Sequence, residues 1–240
     1  MTIAKALPDT AALFEALDRT WPAAEMRQHA GWTLRLGAGG KRVSAATQAA
    51  ADARIEDAET GMRSAGQHPL FMIRRGEDAL DAALEARGYA LVDPTVLRAA
   101  PVSRLADSPP LTVLTGGFPL GLAAEIWAAG GIGPARLAVM ERAPLPKAYL
   151  LGRDADHPTG VGFVAAAGTM AMLHAVEVLA AHRRRGVGRT LTRAAAAWAA
   201  EQGAEVLLLC VTRANAAANA LYEGLGMAEA GAYHYRRAPG

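Results

Sequence analysis

The stretch Leu173–Ala200, LHAVEVLAAHRRRGVGRTLTRAAAAWAA, decides the fold. Its opening residues are apolar enough for a strand. From Arg189 the spacing turns helical, with Leu191, Ala194, Ala195 and Trp198 on one face and a stop at Gly203. Between the two lies the loop Arg183-Arg184-Arg185-Gly186-Val187-Gly188. A glycine-bearing loop running from a strand into a helix N-terminus is an anion site, because successive N–H groups point into one concavity and the helix dipole adds to them. Gly186 and Gly188 let the main chain approach a phosphate where a Cβ would obstruct. Arg183, Arg184, Arg185 and Arg189 supply positive charge and Thr190 a hydroxyl. A Walker A loop is excluded, since Arg183 stands where its first glycine belongs and no Gly-Lys-Ser/Thr follows. The dinucleotide fingerprint is excluded by Leu191 in place of its third glycine.

Downstream, the apolar run Glu205–Val211 reads as a strand buried on both faces. A helix from about Asn215 to Leu225, stopped by Gly226, follows, and a strand through Tyr233–Arg236 ends the chain. Asn215, Asn219 and Tyr222 are spaced by four and three residues, so one helical face presents all three. Upstream, strands are expected at Leu111–Leu114, Ala148–Gly152, Gly160–Ala166 and Met172–Val178, with helices at Leu120–Ala129 and within Gly130–Pro144.

The pattern Arg-x-x-Gly-x-Gly between a strand and a helix resembles the acyl-CoA pyrophosphate loop of the GNAT superfamily of N-acetyltransferases. The segment Asn215-x-x-Ala218-x-x-Leu221-Tyr222-x-x-x-Gly226-Met227 is similar to that family's closing helix, with Met227 in place of the common Phe. The two motifs span Met172–Met227, and the order of elements extends the resemblance back to about Leu111. It implies an acyl-CoA N-acyltransferase fold of mixed α/β type and acetyl-CoA as cofactor. The implied reaction is direct acetyl transfer to a primary amine.

The resemblance also implies roles. Tyr222 would be the general acid toward the leaving thiolate, and Asn215, with Asn219 on the same face, would contact the pantetheine arm. The backbone of Val176–Val178 would pair with the cofactor, an N–H there stabilising the oxyanion. Arg183, Arg184, Arg185, Gly186, Val187, Gly188, Arg189 and Thr190 would hold the pyrophosphate. The base is His174 or Glu177. LHA at Leu173–Ala175 is similar to the equivalent stretch of serotonin N-acetyltransferase, where a histidine is implicated. Simple alternation puts residues 174 and 177 on opposite faces, so only one should face the cleft unless a bulge intervenes.

The first half is read through an internal repeat. A shift of 138 positions lays Leu70–Pro101 over Leu208–Pro239 without a gap. Arg75, Glu85, Gly88, Arg98 and Pro101 fall on Arg213, Glu223, Gly226, Arg236 and Pro239. Ahead of the repeat a helix is expected at Thr10–Arg19, a hairpin of strands Gly31–Leu36 and Lys41–Ala46, and a helix at Asp52–Ser64. The copy at Leu70 has Glu77 and Leu84 where the later one has Asn215 and Tyr222, and no glycine loop precedes its helix from Asp52. The chain therefore reads as two tandem GNAT-like units: a degenerate one at 1–100, a Pro-rich linker at 101–110, and a complete one at 111–240.

Composition closes off other classes. Hydrophobic residues at 52% against 20% charged exclude a wholly disordered chain. A net charge of +2, without basic stripes, disfavours a nucleic-acid or membrane-surface binder. One cysteine, Cys210, excludes an intrachain disulfide and a Cys-based metal site, which fits a reducing compartment; no metal is expected. With no signal-peptide pattern and no apolar stretch of membrane-spanning length, a cytoplasmic location is the expectation. The expected partner is a small-molecule or peptide amine, and the chain a monomer (a pseudo-dimer of repeats) or a homodimer. Trp127, Met140, Met170, Glu125 and Glu141 are the candidates near the acceptor. A non-catalytic acyl-CoA sensor, or transfer of a longer acyl group, is the competing reading.

Overall fold

Asp9 starts the first helix: its side chain accepts from the Ala12 N–H at 2.8 Å, and Leu13, Phe14, Ala16, Leu17 and Thr20 face inward along α1 (Thr10–Thr20). This computed structural model describes residues 9–106, 112–117, 119, 121–144 and 146–240. Leu111, Leu120 and residues 107–110 of the expected linker lie outside them. After α1 come β1 (Glu25–His29), β2 (Trp32–Leu36), β3 (Ala46–Gln48), α2 (Ile55–Ser64), β4 (Leu70–Arg74), α3 (Asp78–Ala86), β5 (Ala90–Pro101) and α4 (Val102–Leu105). The second half adds β6 (Val113–Gly116), α5 (Gly121–Ala129), α6 (Pro134–Arg142), β7 (Lys147–Asp154), β8 (His157–Ala167) and β9 (Met170–Val178). It ends with α7 (Val187–Glu201), β10 (Val206–Thr212), α8 (Ala216–Gly224) and β11 (Ala228–Arg237).

Two expectations shift. The expected strand at Lys41–Ala46 is a 3-10 turn at Lys41–Val43, and β3, three residues further on, pairs with β2 instead. β1 was not expected; all five of its residues are exposed, so it carries no hydrophobic alternation.

Among the described residues one sheet of eleven strands runs β1-β2-β3-β4-β11-β5-β10-β9-β8-β7-β6. All neighbours are antiparallel except β3–β4 and β9–β10. The halves are interleaved: β11, from the end of the chain, lies between β4 and β5 of the first half. The 138-residue offset governs this pairing. Thr212 opposes Thr95 where β10 meets β5, and Tyr233 opposes Arg74 where β11 meets β4, the same pair moved by the offset with the halves exchanged. The polar contacts obey it too. Arg98 donates to Asn219, to Glu223 and to the Met227 carbonyl; Arg236 donates to Asp81, to Glu85 and to the Tyr89 carbonyl. A twofold relation between the copies is written in their side chains.

Helices cover both faces of the sheet. α7 buries Val187, Leu191, Ala195, Ala196 and Ala199 against β7, β8 and β9. It lies so close that a Cβ at Gly160 would meet Val187 Cγ1 at 2.6 Å, which is why β8 carries glycine there. On the other face α1, α5 and α6 bury Trp21, Trp127, Val139, Met140 and Phe163. No helix among the described residues is long and apolar enough to cross a membrane.

Candidate active site

β9 and β10 are parallel neighbours only as far as Leu173 opposite Leu209. Beyond that point β9 continues to Val178 and β10 to Thr212 without pairing, so the sheet forks. A cleft of about 870 Å³ occupies the fork. Its walls are the unpaired end of β9, the residues Cys210, Val211 and Thr212 of β10, the start of α7 and the face of α8 that carries Asn215, Leu221 and Tyr222.

A β-bulge sets the chemistry of the β9 wall. His174 opposes Phe163 and Glu177 opposes Val161, so Ala175 and Val176 together face Gly162 alone. Ala175 takes up the extra residue at φ +49°, and its carbonyl accepts from Trp127 Nε1 at 2.7 Å. The bulge overrides alternation, and His174 and Glu177 both line the cleft.

His174 is buried, its ring between Trp21 and Phe163 at centroid distances of 5.0 and 6.1 Å. The Thr20 hydroxyl donates its one proton to the Ala16 carbonyl at 2.7 Å, so its oxygen accepts from His174 Nε2 at 2.9 Å. Nε2 therefore carries the ring proton, and Nδ1 accepts from Arg42 Nη1 at 3.3 Å. Burial, and then the Arg42 charge, hold the imidazole well below its ordinary pKa of 6.5. Glu177 is differently placed. Its Oε1 accepts from Arg183 Nη2 at 3.0 Å and from the Val178 N–H at 3.2 Å.

The loop enters α7 through Gly186 in the left-handed region at φ +89°, a conformation that favours glycine. Thr190 N to Gly186 O, 3.0 Å, is the first helical hydrogen bond, which leaves the N–H groups of Val187, Gly188 and Arg189 without an intrahelical acceptor at the cleft. Among the described residues, Arg184 and Arg189 line the cleft with no ion pair. Tyr222 is buried by α8, lines the cleft, and its hydroxyl has no hydrogen-bond partner among the described residues. Burial pushes its pKa up to about 12, so the phenol keeps its proton at any working pH.

The structure thus brings His174, Val176, Glu177, Val178, Arg183, Arg184, Gly186, Val187, Gly188, Arg189, Asn215 and Tyr222 to one cleft. Three other residues are occupied elsewhere. Arg185 pairs with Asp154 at 3.0 Å, and the Thr190 hydroxyl donates to the Gly186 carbonyl. Asn219 faces Arg98 and ties α8 to the end of β10 through the Thr212 carbonyl. Asn215 caps α8 by accepting from the Ala218 N–H at 3.1 Å. Trp127 and Met140 are core, Met170 packs against another core cluster, and Glu125 and Glu141 lie outside the cleft. The wall beyond His174 is instead built by Trp21, Arg42, Tyr233, Tyr235 and Cys210, most of them from segments that carry no motif. Cys210, within the run Glu205–Val211 expected to be buried on both faces, is half-buried and lines the cleft.

The equivalent fork of the first half, between β3 and β4, is bridged. Arg74 Nη2 donates to the Gln48 carbonyl at 2.9 Å and is itself held by Glu77, the residue that replaces the asparagine cap. Among the described residues only the fork between β9 and β10 is open.

The forked parallel pair, the bulged strand and the glycine loop all lie within one stretch that matches a known family. Residues 135–227 match the model of the acetyltransferase (GNAT) family. Over those residues the chain is similar to the GNAT acetyltransferases. The uncharacterized N-acetyltransferase YobR of Bacillus subtilis is 28% identical over 231 residues, which cover 90% of this chain and 94% of YobR. Among solved structures, a GCN5-related N-acetyltransferase from Kribbella flavida has the same fold at a TM-score of 0.71 and 20% identity, over 98% of this chain and 97% of that one. A tandem GNAT protein from the clavulanic acid biosynthesis pathway aligns with a TM-score of 0.62 and 14% identity, over 99% and 90% of the two chains. The fold likeness therefore runs through the first half as well as the matched domain.

Proposed function

We propose that the open fork binds acetyl-CoA and that the enzyme transfers the acetyl group directly to a primary amine. The observation that carries this reading is the parting of β9 and β10 after Leu173 and Leu209, directly beside the glycine loop. An unpaired strand edge suits an amide-bearing arm, and the start of α7 with Arg184 and Arg189 suits a pyrophosphate. In this reading Arg183 braces the loop, since its Nε donates to the Val178 carbonyl at 3.0 Å. The two halves act as two GNAT-like units, the first lending wall residues to the second.

The chemistry divides among this chain's own groups. The amine nitrogen attacks the thioester carbonyl, the C–N bond forms and the C–S bond breaks. The sulfur takes its proton from Tyr222, and the amine gives its proton to a base. A backbone N–H of Val176–Val178 steadies the carbonyl oxygen. Both ring nitrogens of His174 are engaged, and Arg42 opposes a second proton on the ring, so Glu177 takes the base role and His174 positions the wall. Isothermal titration with acetyl-CoA tests the reading, in parallel with Gly188→Glu. A Cβ at Gly188 already lies 3.1 Å from Leu221 Cδ2, so the added side chain is driven into the cleft with a negative charge. Saturable wild-type binding that the variant loses is the expected result; wild-type protein that binds nothing refutes the assignment.

A further inference from the structure

Among the described residues the buried arginines are paired with carboxylates. Arg35 is bound by Asp18 at 2.6 Å, Arg98 by Glu223 at 2.5 Å and Arg236 by Asp81 at 2.6 Å. Arg42, half-buried in the cleft, has no carboxylate among the described residues. Its neighbours are neutral: His174 Nδ1, the hydroxyls of Tyr233 and Tyr235 and the Cys210 thiol. Its Nε–H is buried without a partner, and its guanidinium lies 5.9 Å over the Trp21 ring. The cleft's own carboxylates are taken, Asp93 by Lys41 at 2.8 Å and Glu177 by Arg183 at 3.0 Å. Arg136, from α6, lines the same cleft with no ion pair among the described residues. A guanidinium withdrawn from water without a counter-ion is costly, and an arriving anion relieves that cost.

That anion does not belong to the pyrophosphate, which has its own cations at α7. Arg42 touches His174, four residues up β9 from Val178 and so roughly 13 Å along the strand, at the point of the fork. The acceptor amine must reach that point. We infer that the acceptor is an amino-carboxylic acid: Arg42, with Arg136 beside it, holds its carboxylate, the amine faces Glu177, and an apolar body rests on Trp21 and Tyr233. The inference rests on the acetyl-transfer reading and narrows its acceptor to zwitterionic amino acids rather than simple amines.

The test uses the whole protein loaded with acetyl-CoA and titrated calorimetrically with phenylacetate and with neutral phenylacetamide, neither of which can be acetylated. Phenylacetate is expected to bind about ten- to a hundredfold more tightly, the worth of one or two hydrogen bonds to a charged group. Arg42→Met is expected to erase that preference and Arg42→Lys to keep part of it. Arg136→Met, at the rim, is expected to weaken it, and carries the test if Arg42→Met melts early. In turnover, phenylalanine is expected to exceed phenethylamine in kcat/KM for the wild type and to lose that lead in Arg42→Met. Acetyl-CoA binding with equal affinity for the two probes overturns the carboxylate site and leaves the transferase reading intact. Discrimination between the probes in a protein that fails to bind acetyl-CoA overturns both the transferase reading and the acceptor role.

Discussion

Replacing Gly130 by alanine tests the placement of Glu177 without touching it. Gly130 follows α5, and its φ lies outside the left-handed region, so alanine fits its backbone. An added Cβ would stand 2.3 Å from Glu177 Cγ, 2.4 Å from Cδ and 2.6 Å from Oε2. Ordinary contacts of a Cβ begin at 3.4 Å, so the carboxylate must retreat by about 1 Å. Its Oε1 is tethered to Arg183 and to the Val178 N–H, and the retreat breaks that geometry. Misplacing a reacting group by about 1 Å costs on the order of a hundredfold in rate. The loss should fall on kcat, because Arg183 keeps its bond to the Val178 carbonyl, and β9 its pairing with β8, when the carboxylate moves. Alanine in place of glycine also restricts the unfolded chain, a gain of roughly 0.4–1 kcal/mol that offsets part of the local strain. CoA release, followed with a thiol-reactive dye and the best amine of a panel, gives kcat; calorimetry gives the acetyl-CoA Kd. The expected result is a kcat lower by about ten- to a hundredfold, with Kd and Tm little changed. A Gly130→Ala enzyme with wild-type kcat would refute the role of the Glu177 carboxylate.

Three further outcomes are expected. Tyr222→Phe keeps the fold and the acetyl-CoA affinity but lowers kcat by about a hundredfold or more, since a positioned proton donor is worth that much; an unchanged rate removes Tyr222 from the mechanism. The folded-state pKa of His174 lies well below the 6.5 of the unfolded chain, so the stability held by the neutral ring is complete above pH 6.5 and is lost as pH falls below it. The loss is about 1.4 kcal/mol per pH unit down to the folded-state value, and urea titrations should show His174→Asn flattening that slope between pH 6.5 and 5. A fragment beginning at residue 108 removes β4 and β5, both neighbours of β11 and one neighbour of β10. It should fail to fold as a stable monomer by circular dichroism and gel filtration, and a monomeric, fully active fragment would show that the first half is dispensable.

What the sequence discloses follows from how local each signal is. The loop at Arg183–Gly188 and the helix start at Asn215 are legible because glycine, arginine and asparagine act there on backbone within a few residues. The bulge at Ala175 is not, because it is fixed by the register against β8, and alanine is a residue with no preference for it. β1, with its row Glu-Met-Arg-Gln-His, carries no core face and so no periodicity. Arg42 is more than a hundred residues from His174 in the chain, and nothing near it marks a cleft wall. The repeat was visible through Arg98, Gly88 and Glu85 and their partners; that the copies exchange strands was not, because an offset between sequences is the same whether the copies sit side by side or interlock.

That interlock has a consequence for synthesis. When the ribosome has made the first hundred residues, β5 has no neighbour of its own half and β4 has only β3. The missing partners are β10 and β11, and β11 runs only from Ala228 to Arg237. The nascent first half must therefore emerge with three open strand edges, one of β4 and both of β5, and hold them until β11 is made, exposed to pairing with neighbouring chains. Premature stop codons anywhere before β11 should yield aggregates rather than a half-sized enzyme, and the rate of the closing step should carry the slowness of contacts made between residues about 130 to 170 positions apart.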